Sequence, residues 1–293
     1  MLAFEPVLLR HAPEWVLVYG DVNSTIACAL VAAKRGVRVA HVEAGLRSRD
    51  RGMPEELNRL LTDQLADLLL TPSADADENL RAEGIPAERI RLVGNVMVDT
   101  LLRLRERARA QAAPEAHGVA GRDYAFVTLH RPSNVDEPGP LGELLLALED
   151  TAARMPVLFA VHPRTRERIA SFGLEGLAPG VTFLDPLGYL DTISLVERAA
   201  LVITDSGGLQ EETTVLGVPC LTARPNTERP VTITAGTNRL VPSTRTGVGE
   251  AVAAVLAARN GPARHAIPPF WDGRAGERII QALGVGALPS EGP

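Results

Sequence analysis

Four short segments of this chain carry the residue types that do chemistry. Asp21 stands in Gly20-Asp21-Val22-Asn23-Ser24-Thr25, and Glu43 in His41-Val42-Glu43-Ala44-Gly45-Leu46-Arg47. Glu55 stands in Pro54-Glu55-Glu56-Leu57-Asn58-Arg59. Carboxylates that share a site repel one another, which raises pKa values toward the range where a carboxyl serves as acid or base near neutral pH. The fourth segment is Thr204-Asp205-Ser206-Gly207-Gly208-Leu209-Gln210-Glu211-Glu212, fed by the apolar run Leu201-Val202-Ile203. A strand that ends in Ser-Gly-Gly and opens a helix presents backbone N–H groups to an anion, and the helix dipole favours negative charge there. His130-Arg131 ends another apolar run, where an imidazole can touch phosphate or move a proton. His162-Pro163-Arg164 repeats that placement. Each residue also has a plainer reading. Asp21 can cap a helix, Glu55 and Glu56 can offset a helix dipole, and a Gly-rich βα turn is common in doubly wound folds. His41 lies inside a strand and reads as core or as support.

The elements that must position these groups follow a repeating βα pattern. Apolar runs at 16–19, 37–42, 68–71 and 90–93 alternate with helical stretches at 25–35, 54–66, 75–83 and 99–109. Asn23 or Ser24 is the expected cap of the first of these helices, and Pro54 suits a first turn. Residues 1–10 read as an amphipathic helix. A polar Ala/Pro/Gly stretch at 111–122 reads as a linker. A second set of strands follows at 124–129, 157–161, 181–184, 201–203, 219–222 and 237–241. Helices fall at 141–154, 165–172, 192–199, 209–216, 247–258 and 275–283, and an acidic first turn is expected for 209–216. Strands alternating with helices imply α/β structure with parallel sheets covered on both faces. Two such sets imply two doubly wound, Rossmann-like domains with a ligand cleft between them. Their expected extents are residues 1–110 and 122–270, with 271–285 as a C-terminal helix that packs back on the first domain.

Composition narrows the function classes. The 293 residues fit one or two domains. A formal net charge of -6 argues against nucleic acid as a main partner. No apolar run approaches the ~20 residues that span a bilayer, and no secretory signal pattern opens the chain. Cys28 and Cys220 lie far apart in apolar surroundings, as buried thiols of a reducing, cytoplasmic compartment would.

Read in order, the segments resemble a known family. Tyr-Gly-Asp-Val-Asn-Ser-Thr, His-Val-Glu-Ala-Gly-Leu-Arg, Pro-Glu-Glu-Leu-Asn-Arg, Leu-His-Arg-Pro-Ser-Asn-Val-Asp, Thr-Asp-Ser-Gly-Gly-Leu-Gln-Glu-Glu and Asn-Thr-Glu-Arg-Pro occur together here. They are similar to the non-hydrolysing UDP-N-acetylglucosamine 2-epimerases, from about Glu5 to Ile279. The resemblance implies two Rossmann-like domains of the GT-B type. It implies interconversion of UDP-N-acetylglucosamine and UDP-N-acetylmannosamine with no nicotinamide, no other cofactor and no metal. The C2 proton leaves and UDP departs from C1, giving 2-acetamidoglucal; UDP re-adds after a proton returns to the other face. Matched motif by motif, Asp21, Glu43, Glu55 and His130 take the catalytic positions. Ser206, Gly207 and Gly208 take the diphosphate loop, Glu212 the ribose and Arg229 the nucleotide or sugar. Arg59 and Arg131 resemble cleft arginines that contact substrate. A homodimer is implied, and some bacterial members bind a second UDP-N-acetylglucosamine as an activator. An aromatic for the uracil is not cleanly matched near Tyr189, since Thr192 falls where some members carry Phe.

The resemblance departs at the start of the chain. Family members open with a strand and a Gly-Thr-Arg-Pro-Glu loop, followed by a phosphate-binding lysine, and these motifs are not matched here. The first domain is therefore expected to be incomplete at its N-terminus, through a late start or a fragment, and weak in stability or activity by itself. Three other functions use the same nucleotide loop: a UDP-sugar-dependent GT-B glycosyltransferase, a hydrolysing relative, and a UDP-sugar-binding protein without activity. The glycosyltransferase has less need of Asp21, Glu43 and Glu55 together.

Overall fold

The computed structural model describes residues 1–258 and 265–284. They divide into two compact units: Met1–Thr100 with the stretch from Pro268, and Leu101–Ile267. The expected domain extents of 122–270 and 271–285 each include residues outside the described ones.

In the first unit the elements run α1 (Phe4–His11), β1 (Trp15–Tyr19), α2 (Asn23–Lys34), β2 (Arg38–Val42), α3 (Pro54–Leu65), β3 (Leu68–Thr71), α4 (Ala74–Ala82), β4 (Ile90–Leu92) and the start of α5 (Val96–Arg109). The four strands are parallel and lie in chain order, β1-β2-β3-β4, with Val16 opposite Val39 and His41 opposite Leu69. Successive crossovers that step in one direction with right-handed geometry put their helices on one face. Val16, Val18, Val39 and Leu69 accordingly pack with Ala29, Ala32 and Leu80 from the helices α2 and α4. The alternate residues Ala40, Val42, Leu68 and Leu70 point the other way and pack with Ile279. Ile279 belongs to the last described helix of the chain (Ala275–Ala282). Asp99 accepts from the Ala275 and Gly276 amides at 3.1 and 2.7 Å, capping that helix, and Trp271 Nε1 donates to the Pro72 carbonyl at 2.8 Å.

The second unit contains α6 (Ala113–Ala116), β5 (Ala125–Thr128), α7 (Pro132–Val135), α8 (Pro138–Ala152), β6 (Val157–Ala160), α9 (Pro163–Ser171), β7 (Thr182–Leu184), α10 (Tyr189–Arg198), β8 (Leu201–Thr204), α11 (Gly207–Leu216), β9 (Cys220–Ala223), α12 (Val231–Thr234), β10 (Asn238–Val241) and α13 (Arg245–Ala258). The last helix of the first unit is thus α14. The sheet is parallel, in the order β10-β9-β8-β5-β6-β7. Read from β7, this is third, second, first, fourth, fifth, sixth: the dinucleotide-binding order, which reverses between β5 and β8. Val127, Phe159 and Ile203 pack on one face with Leu144 and Val248, while Phe126, Leu158 and Val202 pack on the other with Leu195 and Val196. Burial on both faces is why these strands are unbroken apolar runs.

Several local expectations change. The stretch 111–122 contains α6, buries Ala113 and Val119 against Leu195 and Val196, and bonds the Ala113 amide to Ser194 Oγ at 3.3 Å. Small apolar side chains let a linker-like composition pack. Val22 is the N-cap of α2 and makes no side-chain cap, so Asn23 and Ser24 lie inside the helix. The helix α11 begins at Gly207 and has no acid in its first turn, which moves Glu211 and Glu212 one turn inward. Cys28 is half-buried, and Cys220 is fully buried.

Candidate active site

The carboxylates of the first unit sit at the C-terminal ends of adjacent strands, the side on which ligands meet parallel sheets. Asp21 follows β1 by two residues and Glu43 follows β2 directly. Glu43 has a φ of 72°, in the left-handed region, and so does Gly45 at 82°. A Cβ on Gly45 would lie 2.5 Å from the Ala76 carbonyl oxygen, so only glycine fits there. A non-glycine residue in this region costs roughly 1–2 kcal/mol and survives where its surroundings fix it. Here the Glu43 and Ala44 amides both donate to the Leu70 carbonyl, at 3.0 and 3.3 Å. The turn brings Glu43 Oε2 to 3.3 Å from the position a Cβ would take on Gly20, next to Asp21. Two carboxylates from neighbouring strands thus lie beside one Gly-Asp turn.

Asp21 is held by a cation. Arg59, on α3 and 2% exposed, donates from Nη1 to Asp21 Oδ2. Its Nη2 and Nε reach Glu56 Oε2 at 2.8 and 3.1 Å. Glu56 also accepts from the Ser48 and Arg49 amides, each at 2.9 Å. Burial would raise the Glu56 pKa, but the Ser48 amide, Arg59 and the Arg49 amide together hold it below the usual value. Asn58 Nδ2 donates to the Asp21 carbonyl at 2.7 Å. Glu55 is half-buried in the first turn of α3, as its sequence position implied.

The second unit places its polar groups at the reversal of strand order. Asp205, just past β8, is fully buried and reaches across to the end of β5. It accepts from the His130 amide at 3.0 Å, the Arg131 amide at 2.9 Å and Asn134 Nδ2 at 2.9 Å. His130 Nδ1 lies 3.1 Å from Asp205 Oδ1. Burial lowers the His130 pKa, Asp205 opposes it, and the Arg131, His162 and Arg224 charges lower it further, for a net fall. A neutral ring that donates Nδ1–H to Asp205 presents Nε2 as a proton acceptor. The His162 ring lies 5.9 Å away, centroid to centroid.

Ser206 is the N-cap of α11, and Gly207 and Gly208 are its first residues, all three half-buried. Arg229 covers this end: a Cβ on Gly207 would meet Arg229 Nη1 at 2.6 Å. Glu228, itself buried, pairs with Arg229, with Arg224 Nη2 at 2.7 Å and with Arg131 Nη2 at 3.8 Å. Burial would raise the Glu228 pKa, yet Arg229 and Arg224 hold it well below the carboxylate range. Three guanidinium groups therefore gather at one helix N-terminus, which suits a polyanion. Farther along α11, Glu212 is 5% exposed and accepts the Tyr189 hydroxyl at 2.9 Å. Burial pushes Glu212 up to about 7, against the Tyr189 hydrogen bond.

Comparison with known proteins decides the family. Residues 1–284 match the family model described as UDP-N-acetylglucosamine 2-epimerase. The chain belongs to this epimerase family. The UDP-N-acetylglucosamine 2-epimerase of Methanocaldococcus jannaschii is 40% identical over 298 residues, covering 98% of this chain and 79% of the relative. The UDP-2,3-diacetamido-2,3-dideoxy-D-glucuronate 2-epimerase of Pseudomonas aeruginosa is 44% identical over 249 residues, covering 84% of this chain and 68% of the relative. A crystal structure of the Methanocaldococcus jannaschii enzyme in complex with UDP-GlcNAc and UDP aligns with a TM-score of 0.87 at 40% identity, over 97% of this chain and 79% of that one. Two parallel-sheet α/β units are the GT-B-like architecture of these epimerases.

The expected residues fall into two groups, one in each unit. Asp21, Glu43, Glu55 and Arg59 lie at one end of the first sheet, and His130, Arg131, Ser206, Gly207, Gly208, Glu212 and Arg229 lie in the second unit. Arg59 is bound by Asp21 and Glu56 rather than open on a surface. Sequence reasoning read Glu56 only as a helix-dipole partner and missed Asn134, Arg224 and Glu228. Glu228 could have been noticed beside Arg229 in the Thr-Glu-Arg-Pro motif. Arg224 could likewise have been noticed four residues before Glu228, whereas Asn134 carries no local mark, because its partners Asp205 and Ala223 lie in distant segments.

Proposed function

We propose that the chain interconverts UDP-N-acetylglucosamine and UDP-N-acetylmannosamine by eliminating and re-adding UDP through 2-acetamidoglucal. The paired carboxylates at the Gly20-Asp21 turn are the observation that supports this reading best. Nucleotide binding alone has no use for them, whereas exchanging a C2 proton on two faces needs a base and an acid. Asp21 and Glu43 fill those roles, with Glu55 as a third carboxyl. Arg59 keeps Asp21 oriented. The α11 N-terminus at Ser206, Gly207 and Gly208, with Arg229 and Arg131, takes the diphosphate and stabilises it as it departs. His130 stands at that loop as proton acceptor or phosphate contact, and Glu212 takes the ribose hydroxyls. A cytoplasmic homodimer, with a second UDP-N-acetylglucosamine as activator, belongs to the same proposal.

Incubation with UDP-N-acetylglucosamine in deuterated water tests it. Deuterium at C2 of both recovered UDP-sugars is the expected result. Recovery without deuterium, or release of free sugar, would sink the proposal. The 44% identity to the Pseudomonas aeruginosa enzyme favours a second reading in which the UDP-sugar is a 2,3-diacetamido glucuronate. Parallel exchange assays with both UDP-sugars decide between them.

A further inference from the structure

His41 and Asp63 form a fully buried pair that touches both carboxylate turns of the first unit. Asp63 lies on α3 and His41 on β2, two residues before Glu43. His41 Nδ1 is 2.6 Å from Asp63 Oδ1, and His41 Nε2 is 2.9 Å from the Gly20 carbonyl oxygen. Asp63 Oδ2 accepts from the Gly45 amide at 3.1 Å and from Arg47 Nη2 at 2.8 Å. Arg47 in turn grips Glu83 through Nε and Nη2, at 2.8 and 2.7 Å. Gly20 immediately precedes Asp21. Residues 41 and 45 bracket Glu43, whose backbone is in the left-handed region. One His–Asp pair is thus bonded on both sides of Glu43 and directly before Asp21.

We infer that His41 and Asp63 are positioning residues for the C2 proton transfers, clamping the turns that carry Asp21 and Glu43 at a fixed separation. The inference rests on the epimerase reading above. A generic buried pair would secure a helix to a strand and nothing more. This one spends every described hydrogen bond but the Arg47 pair on the backbone or side chains flanking the two carboxylates. Its own hydrogen bonding is also specific. Both ring nitrogens of His41 face oxygens, and a carbonyl can only accept. Burial would raise the Asp63 pKa, but His41 and Arg47 hold it below the usual range, so it is an acceptor as well. His41 Nε2 therefore carries the hydrogen that it donates to the Gly20 carbonyl. A clamp matters here because a proton must leave one face of C2 and return to the other, and an error near 1 Å in a catalytic group costs ~100-fold in rate.

The test measures C2 deuterium exchange and UDP affinity in the full chain and in His41→Phe and His41→Gln. His41→Phe removes both hydrogen bonds, and exchange at saturating substrate is expected to fall ~100-fold with UDP affinity unchanged. His41→Gln keeps a donor for Gly20 and is expected to lose less. Unaltered exchange in His41→Phe, or a parallel loss of UDP binding, would overturn the clamp. A second measurement needs no variant: nitrogen NMR of the labelled wild-type imidazole at neutral pH. A hydrogen on His41 Nε2 is expected, and a bare Nε2 overturns the arrangement. Failure of the epimerase reading would show differently, as wild-type protein that exchanges no C2 proton, and the NMR result would still decide the clamp.

Discussion

The two units solve the problem of presenting polar groups at a sheet end in different ways. The second reverses its strand order between β5 and β8, and the gap that opens there exposes backbone amides and a helix N-terminus. Its groups are therefore mainly fixed dipoles and guanidinium groups gathered by buried acids, Asp205 and Glu228. The described strands of the first unit run in chain order with no reversal. Its groups are side chains on turns, and each turn has to be held in place: Asp21 by Arg59, Glu43 by the Leu70 carbonyl, Gly45 by Asp63. The difference teaches that backbone donors can come with a topology, whereas a group of carboxylates on turns must be held by side-chain networks.

The comparison breaks most visibly if chemistry and binding fail to separate. Asp21→Asn and Glu43→Gln are expected to lower C2 exchange ~1000-fold while calorimetry finds UDP affinity unchanged. Glu212, in the second unit, gives the next largest effect, on stability. Its pKa rises from 4.5 to about 7 on folding. Between those pH values the native protein keeps a proton that the unfolded chain has released, so stability falls as pH rises through this window. Glu212→Gln is expected to be more stable than wild type above about pH 7, by ~3 kcal/mol at most. Below about pH 4.5 the two should melt together. A melting difference that grows toward low pH would reverse the assignment.

Gly207→Ala sharpens the binding side. A methyl placed 2.6 Å from Arg229 Nη1 must displace the guanidinium. UDP affinity is expected to fall about tenfold, ~1.4 kcal/mol, in an isothermal titration. The smallest effect belongs to Asp99→Ala, which removes the cap of α14 and costs ~1 kcal/mol in thermal or denaturant unfolding. C2 exchange should not change, because Asp99 supports the sheet face and touches neither carboxylate turn.

Much of this was legible in the chain itself. The runs at 68–71 and 201–203 read as buried strands, and they form β3 and β8. The acids Asp21 and Glu43 and the Ser206-Gly207-Gly208 turn stood out because each follows such a run within a few residues. Helix starts were read too late at Pro138, Pro163 and Gly207. A first turn needs no amide partner within the helix, so proline and glycine, which look like breakers, open helices there.

Alternation of strands and helices, set by the period of apolar residues, determined that this is a parallel α/β protein, and short motifs at strand ends determined where its polar groups would stand. Only the tertiary structure decided which partners those groups have. Arg59 reaches Asp21 across 38 residues and Asp205 reaches His130 across 75. The buried acid Asp63 was decided in the same way, paired with His41 across 22 residues. Hydrophobic periodicity is a local property that a window of sequence contains. The charge balance of a buried carboxylate depends on which distant strands the sheet order makes neighbours, and that order exists only once the chain has folded.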